Sequence, residues 1–292
     1  MSSFAQTTKD SLCEIPVKSD CCKSAMLCGM IAFSAGKDNN GISHTVENEN
    51  VISLYEMLLV EVLGGSCDIN YFGQGYMISI SDFSTLEAII KRFGNLKAPK
   101  KEIFKCEHCL KHYFRGAFLC SGTINSPDSA HYHLEIETSF TPENVTDLLS
   151  DLGIVFKYSR RRGNGVIYVK ESEAIEDFLN YIGARSSAFS LMNEKIRREL
   201  RNNANRQKNF DTANIKKSVA AGTRFSEAIK KLKAEKRMGM LSEELRETAR
   251  LKLKHPDAGL VELAALHNPK ITKSGLYHRL TKILDIANNK DH

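Results

Sequence analysis

No apolar run in this 292-residue chain approaches the roughly 20 residues a membrane span requires. The longest, such as Tyr55 to Leu63, are broken by Glu56 and Glu61. The opening stretch, MSSFAQTTKDSLCEI, lacks a basic segment followed by an apolar one, so no secretion signal is expected and the protein reads as cytoplasmic. Cysteine is missing from everything after residue 120, although eight cysteines precede that point. Strand patterns also stop, at about Gly183. Beyond Gly183 both are absent, and that joint change of pattern implies two kinds of domain. Free thiols are the default expectation in a reducing compartment.

Charge divides the chain in the same way. Residues 186–292 carry 23 Lys and Arg against 12 Asp and Glu, whereas residues 1–185 carry 18 against 23. Only the C-terminal part has the basic surplus expected of a polyanion-binding module. The competing explanation is a solvated helical surface.

The first part holds a long internal repeat. Cys22 to Ser34 aligns with Cys109 to Ser121 at one offset, so that Cys22 meets Cys109, Gly29 meets Gly116 and Ser34 meets Ser121. After the first glycine-bearing helix come an extended segment near Ile42–Val46, a helix over Asn48–Leu63, strands Ser66–Phe72 and Tyr76–Ser81, and a helix capped by Asp82. Leu86, Ile89, Ile90 and Phe93 are expected on one face of that last helix. The second copy gives a strand over His131–Thr138, a helix opened by Thr141–Pro142–Glu143, strands Ile154–Tyr158 and Val166–Val169, and a helix over Ser172–Tyr181. Arg160, Arg161 and Arg162 fall at the tip of the second hairpin, as candidate phosphate contacts or as charges that keep a turn soluble. Each copy reads helix, strand, helix, hairpin, helix.

Beyond Gly183 the pattern is wholly helical. Ser190–Leu200 predicts a connecting helix and Thr212–Lys236 a lysine-rich one, with the polar stretch Asn202–Arg206 between them. Ser242 caps the next helix, which has acids in its first turn and Lys252, Lys254 and His255 in its last. Pro256–Gly259 breaks the chain before a short helix carrying Leu260, Leu263 and Ala264. Thr272 or Ser274 then caps a helix with Leu276, Leu280, Ile283 and Leu284 on one stripe. Two helices joined by a short turn, the second facing outward with Lys273, Ser274, Tyr277, His278 and Lys282, have the layout of a helix-turn-helix. Lys273 and Ser274 would face base edges, and Arg279 or Lys282 the DNA backbone. A three-helix interaction bundle shares that spacing.

Cys106–Glu107–His108–Cys109, with His112 nearby, has the spacing of half a zinc site. No second Cys-x-x-Cys pair accompanies it, and the register of Cys109 with Cys22 suggests packing. The reading therefore assigns no metal, no cofactor and no redox role.

Leu27–Ser34 and Phe114–Gly122 resemble the LAGLIDADG motif, over about residues 20–185. In that family two such helices pack closely through small residues at a pseudo-twofold axis, and saddle-shaped sheets lie across DNA. The resemblance assigns helix packing to Gly29 and Gly116. Nuclease activity there depends on an acid at the eighth motif position of each copy, to hold divalent metal. Those positions are Ser34 and Ser121, poor ligands for hard cations, so no catalytic residue and no cleavage are expected. Asp38 and Asp128 lie beyond the helix ends.

The combination is similar to the WhiA family of bacterial regulators, in which a degenerate LAGLIDADG-like domain is linked to a C-terminal helix-turn-helix. The residues carrying the resemblance include Cys22–Gly36, Arg115–Leu119 with Gly122, Asn205–Arg206 with Asn209, Thr212–Asn214 and Lys273–Leu280. It implies an α+β fold with a LAGLIDADG-like domain over 1–185, a helical connection over 186–238 and a helix-turn-helix over 239–288. It further implies a nucleoid-associated transcriptional regulator of cell division, chromosome segregation or sporulation genes. Double-stranded DNA would be its partner, alongside transcription or cell-division proteins, with no membrane and no small-molecule substrate. The alternatives are a metal-dependent homing-type endonuclease and a protein-interaction adaptor. The chain departs from the family at Cys28, where arginine is common, although Arg115 is retained in the second copy. Tyr277 stands where a smaller polar residue is usual.

Overall fold

A computed structural model of the chain describes residues 2–33, 37–38, 41–73, 75–94, 96, 101–138, 143–150, 152–161 and 164–288. The chain divides into two compact units, Met1–Arg198 and Glu199–His292.

The first unit is built twice on one plan. Copy one runs α2 (Asp20–Ala32), β1 (Lys37–Asp38), β2 (Gly41–Val46), α3 (Glu49–Leu63), β3 (Asp68–Phe72), β4 (Gly75–Ile80) and α4 (Phe83–Phe93), following a short α1 (Phe4–Cys13). Copy two runs α5 (Cys109–Ser121), β5 (Gly122–Ile124), β6 (Leu134–Thr138), α6 (Glu143–Ser150), β7 (Lys157–Arg161), β8 (Asn164–Val169) and α7 (Ser172–Ile182). The two antiparallel sheets have matching strand orders, β1-β2-β4-β3 and β5-β6-β8-β7.

Local chemistry explains the boundaries. The side chains of Asn48 and Asp82 accept the Val51 and Thr85 backbone N–H groups, capping α3 and α4. Gly64 and Gly183 end α3 and α7 in the left-handed conformation. Both sheets direct alternate residues inward, among them Val46, Ile78, Leu134 and Ile167, against α2 and α5.

The structure departs from the sequence reading in four places. α1, β1 and β5 were not foreseen: α1 buries Thr8 and Lys9 beside Ala5 and Leu12, which blurs its apolar stripe, and the two strands have only two and three residues. Ile90 is 67 % exposed, and Thr85, Ile89 and Phe93 form the buried face of α4. The strand expected to end at Tyr158 begins at Lys157 and continues to Arg161, so Arg160 and Arg161 are the last residues of the edge strand, with Arg161 pairing Asn164 at the turn end of the hairpin. Charged edge positions suit a strand with one unpaired side. Arg162 lies outside the described residues.

The fourth departure is α8, a single 50-residue helix over Arg185–Ala234, where the sequence suggests two helices around Asn202–Arg206. Each asparagine costs about 0.6 kcal/mol of helix propensity relative to alanine, too little to interrupt a segment flanked by good helix formers. Its last turns supply Phe225, Ala228, Ile229 and Leu232 to a second core, shared with α9 (Glu243–Lys254), α10 (Leu260–Ala265) and α11 (Lys273–Ala287). The C-terminal core thus begins upstream of residue 239, inside the stretch read as a connection. No described helix is long and apolar enough to cross a membrane.

Candidate nucleic-acid interface

The helix-turn-helix is assembled from strong local signals. Ser242 accepts the Leu245 N–H at the start of α9, and Thr272 accepts the Gly275 N–H at 3.1 Å at the start of α11. Between them, His267 is buried and ties α10 to α9. It lies 2.9 Å from the Leu263 carbonyl, to which Nδ1–H donates, and 3.0 Å from the Thr248 hydroxyl. Lys252 is also buried, its ammonium donating to the Pro256 and Ala258 carbonyls and holding the turn between α9 and α10. Burial lowers its pKa from the usual lysine value.

Leu276, Leu280, Ile283 and Ala287 bury one stripe of α11. Lys273, Ser274, Tyr277, His278 and Lys282 are exposed on the opposite face. The first three turns of that face carry no carboxylate. Tyr277 is anchored by an edge contact with Phe225 of α8, ring centroids 6.1 Å apart. Lys217 of α8 lines a cleft with Lys273 and the start of α10. Arg279 is directed elsewhere, its guanidinium 3.1 Å from Glu244 of α9.

The sheets of the first unit have a different electrostatic character. On the first sheet the outward positions of the paired strands include Ser43, Thr45, Asp68, Asn70, Met77 and Ser79, with no cation among them. On the second, Arg161 lies 3.1 Å from Glu135, which also meets His133, and Lys157 lies 2.8 Å from Glu171. Arg160 donates to the Tyr158 hydroxyl.

The motif helices α2 and α5 pack against each other at their glycines. A Cβ on Gly29 would overlap the Tyr113 carbonyl, and one on Gly116 the Met26 carbonyl. Ser121, at the end of α5, directs its hydroxyl to the Glu137 and Ala117 carbonyls at 2.9 and 3.2 Å. Ser34 lies outside the described residues, Asp38 is placed only by its backbone in β1, and Asp128 bonds Ser126. Arg115 is fully buried, with Nε donating to the Ile182 carbonyl at 2.7 Å.

The structure also brings together what the sequence kept apart. Cys106 and Cys109 meet Cys21 and Cys22. The adjacent pair Cys21–Cys22 was missed because it has no Cys-x-x-Cys spacing. The signal that could have found it is the register of Cys22 with Cys109, since helices in contact at equivalent glycines also bring equivalent positions near their starts close together.

These features define a class: a repeated LAGLIDADG-like α+β domain and a helix-turn-helix domain in one chain. Residues 110–201 match the WhiA LAGLIDADG-like domain, and residues 204–287 the WhiA C-terminal HTH domain. A protein of Heliobacterium modesticaldum called "Probable cell division protein WhiA" is 33% identical over 98% of this chain and 96% of its own length. A Clostridium botulinum protein of the same name is 38% identical over 73% of this chain and 71% of its own. The chain belongs to the WhiA family. The crystal structure of full-length DUF199/WhiA from Thermotoga maritima has the same fold, with a TM-score of 0.60 at 22% identity and full coverage of both chains.

Proposed function

We propose that the protein is a non-enzymatic transcriptional regulator that binds double-stranded DNA through the N-terminal half of α11. The observation that carries this reading is the exposed face of Lys273, Ser274, Tyr277, His278 and Lys282, without an acid, at the start of a capped helix. Helix-turn-helix proteins place these positions against base edges in the major groove. Lys217 and Lys282 are suited to phosphate. Arg279 acts by fixing α11 to α9 and only secondarily on DNA. The basic surplus of residues 186–292 supports the same division of labour, with residues 239–288 reading DNA, residues 186–238 connecting and completing that module, and residues 1–185 forming the LAGLIDADG-like domain.

Cleavage is disfavoured by Ser121, whose hydroxyl is spent on backbone carbonyls, and by the serine at position 34. Sheet faces poor in free cations are better suited to docking a protein than a phosphate backbone, so the first unit is assigned to partners in transcription or division. The cell-division names of the relatives support a place in division control, in the cytoplasm at the nucleoid.

The test is a fluorescence-anisotropy titration of genomic duplex fragments with the full chain, residues 1–185 and residues 186–292, at two salt concentrations with magnesium, followed by a cleavage gel. The expected result is salt-sensitive binding by residues 186–292 and uncut DNA. Binding by residues 1–185 alone, or magnesium-dependent cutting, would overturn the assignment.

A further inference from the structure

Cys21 and Cys22 lie in the first turn of α2, Cys109 opens α5, and Cys106 sits in the turn just before it. Their four Sγ atoms all lie within 4.8 Å of one another. Cys106 Sγ is 3.7 Å from Cys21, 3.6 Å from Cys22 and 3.5 Å from Cys109. All four are free thiols. Four thiolates about 2.3 Å from a tetrahedral ion stand about 3.8 Å from one another, by the geometry of the tetrahedron. The separations from Cys106 are within a few tenths of an ångström of that edge.

The donor set narrows the choice of ion. Four soft sulfurs in a tetrahedral arrangement select zinc or iron–sulfur chemistry over magnesium, calcium or manganese. A polynuclear iron–sulfur cluster would interpose its own iron and sulfide atoms, and sulfurs this close leave no room for them. Cys22 and Cys109 are buried, Cys21 is half-buried and Cys106 is exposed, so the protein encloses the site on one side and leaves an entry at Cys106. His112, the third ligand suggested by the sequence, is not in the cluster.

We propose that Cys21, Cys22, Cys106 and Cys109 hold a single structural zinc ion that ties the N-terminal ends of α2 and α5 across the internal repeat. The site is at the opposite end of these helices from Ser121, so it is not a remnant of a nuclease centre. Each copy of the repeat contributes two ligands, and all four protein positions leave no open place for water, as in structural rather than catalytic zinc sites.

The full chain, purified under reducing conditions without chelator, is expected to carry about one zinc per molecule. Stripped of metal and titrated with cobalt(II) alone, it is expected to develop the intense visible bands of a tetrahedral tetrathiolate, saturating at one cobalt and bleached by zinc. Cys106→Ser changes an exposed position, so it should keep the fold and lose at least tenfold in cobalt affinity, with Cys21→Ser behaving likewise. Cys67→Ser, outside the cluster, should leave the titration unchanged. Three results would overturn the proposal: purified chain without zinc whose stripped form gives no tetrahedral cobalt spectrum, cobalt binding equal in wild type and Cys106→Ser, or recovery of the four cysteines as disulfides from the reducing preparation.

Discussion

Arg115 sits beside the second motif glycine, where the family pattern retains an arginine, and its guanidinium is enclosed and bonds the last carbonyl of α7. A cation at a helix C-terminus answers both the unpaired carbonyls and the helix dipole. Sequence could show that an arginine was kept at this position but not that it was buried, because arginine is among the residues most often exposed. His44 presents the converse case. It is buried against Tyr55 and Cys120, with Nδ1 unpartnered, and burial lowers its pKa to about 4. Above pH 6.5 it is neutral whether the chain is folded or not, and it imposes no pH dependence. As pH falls through 6.5 the unfolded chain takes up a proton that the folded chain refuses until about pH 4. Stability is therefore lost across that window, by up to roughly 3 kcal/mol. Urea unfolding of wild type and His44→Leu between pH 7 and 4 should show a steeper acid loss in wild type, and equal slopes would contradict the assignment. Gly116→Ala tests the close approach of α2 and α5. With backbone on the opposing side there is little room to yield, so a loss of about 3 kcal/mol is expected in the same assay.

Whether an element could be read from sequence depended on whether its signals were local. α3, α4, α9 and α11 announce themselves through caps and apolar stripes, and their starts fall at or beside the residues expected from them. β7 was displaced because its residues are all exposed, leaving no inward-outward alternation to fix where it starts and stops. Ile90 was placed on the wrong side because Thr85, a residue with a polar atom, takes the buried position and bonds Asp82 and the Ser66 N–H. Within the helix-turn-helix the buried Thr248–His267 contact links α9 to the residues just after α10. Thr248→Val removes one partner of a buried polar contact and should cost about 1–3 kcal/mol of C-terminal stability. It should weaken DNA binding only as far as folding is lost, which circular dichroism alongside anisotropy would show. Substitutions on α11 separate in another way. Lys282→Ala should weaken all duplexes alike and lower the salt slope by about one. Ser274→Ala should change the preference among sequences by about 1–3 kcal/mol at one position while leaving the slope intact. If both variants act identically, α11 is not lying in the groove as proposed.

At the scale of the molecule, charge was legible because it is a sum, whereas the cysteine cluster was not, because it is a meeting of two segments some 85 residues apart. The charge sum makes the final prediction. Non-specific affinity is set by the number of phosphates neutralised, and log K falls with log salt in proportion to that number. The basic surplus resides in residues 186–292, while the outward positions named on the first sheet carry no cation, and on the second Arg161 and Lys157 are committed to Glu135 and Glu171 and Arg160 to the Tyr158 hydroxyl. The full chain and residues 186–292 should therefore give the same salt slope, and the first unit's excess of acids should, if anything, lower the full chain's affinity at low salt, where screening is weakest. Reversing Glu135 and Glu137 to lysine would release Arg161 and turn that sheet basic. The slope of the full chain would then rise only if the sheet lies against DNA. An unchanged slope, with binding still lost on truncation of α11, would assign the sheets to protein partners. A rise in slope would put DNA across that sheet after all.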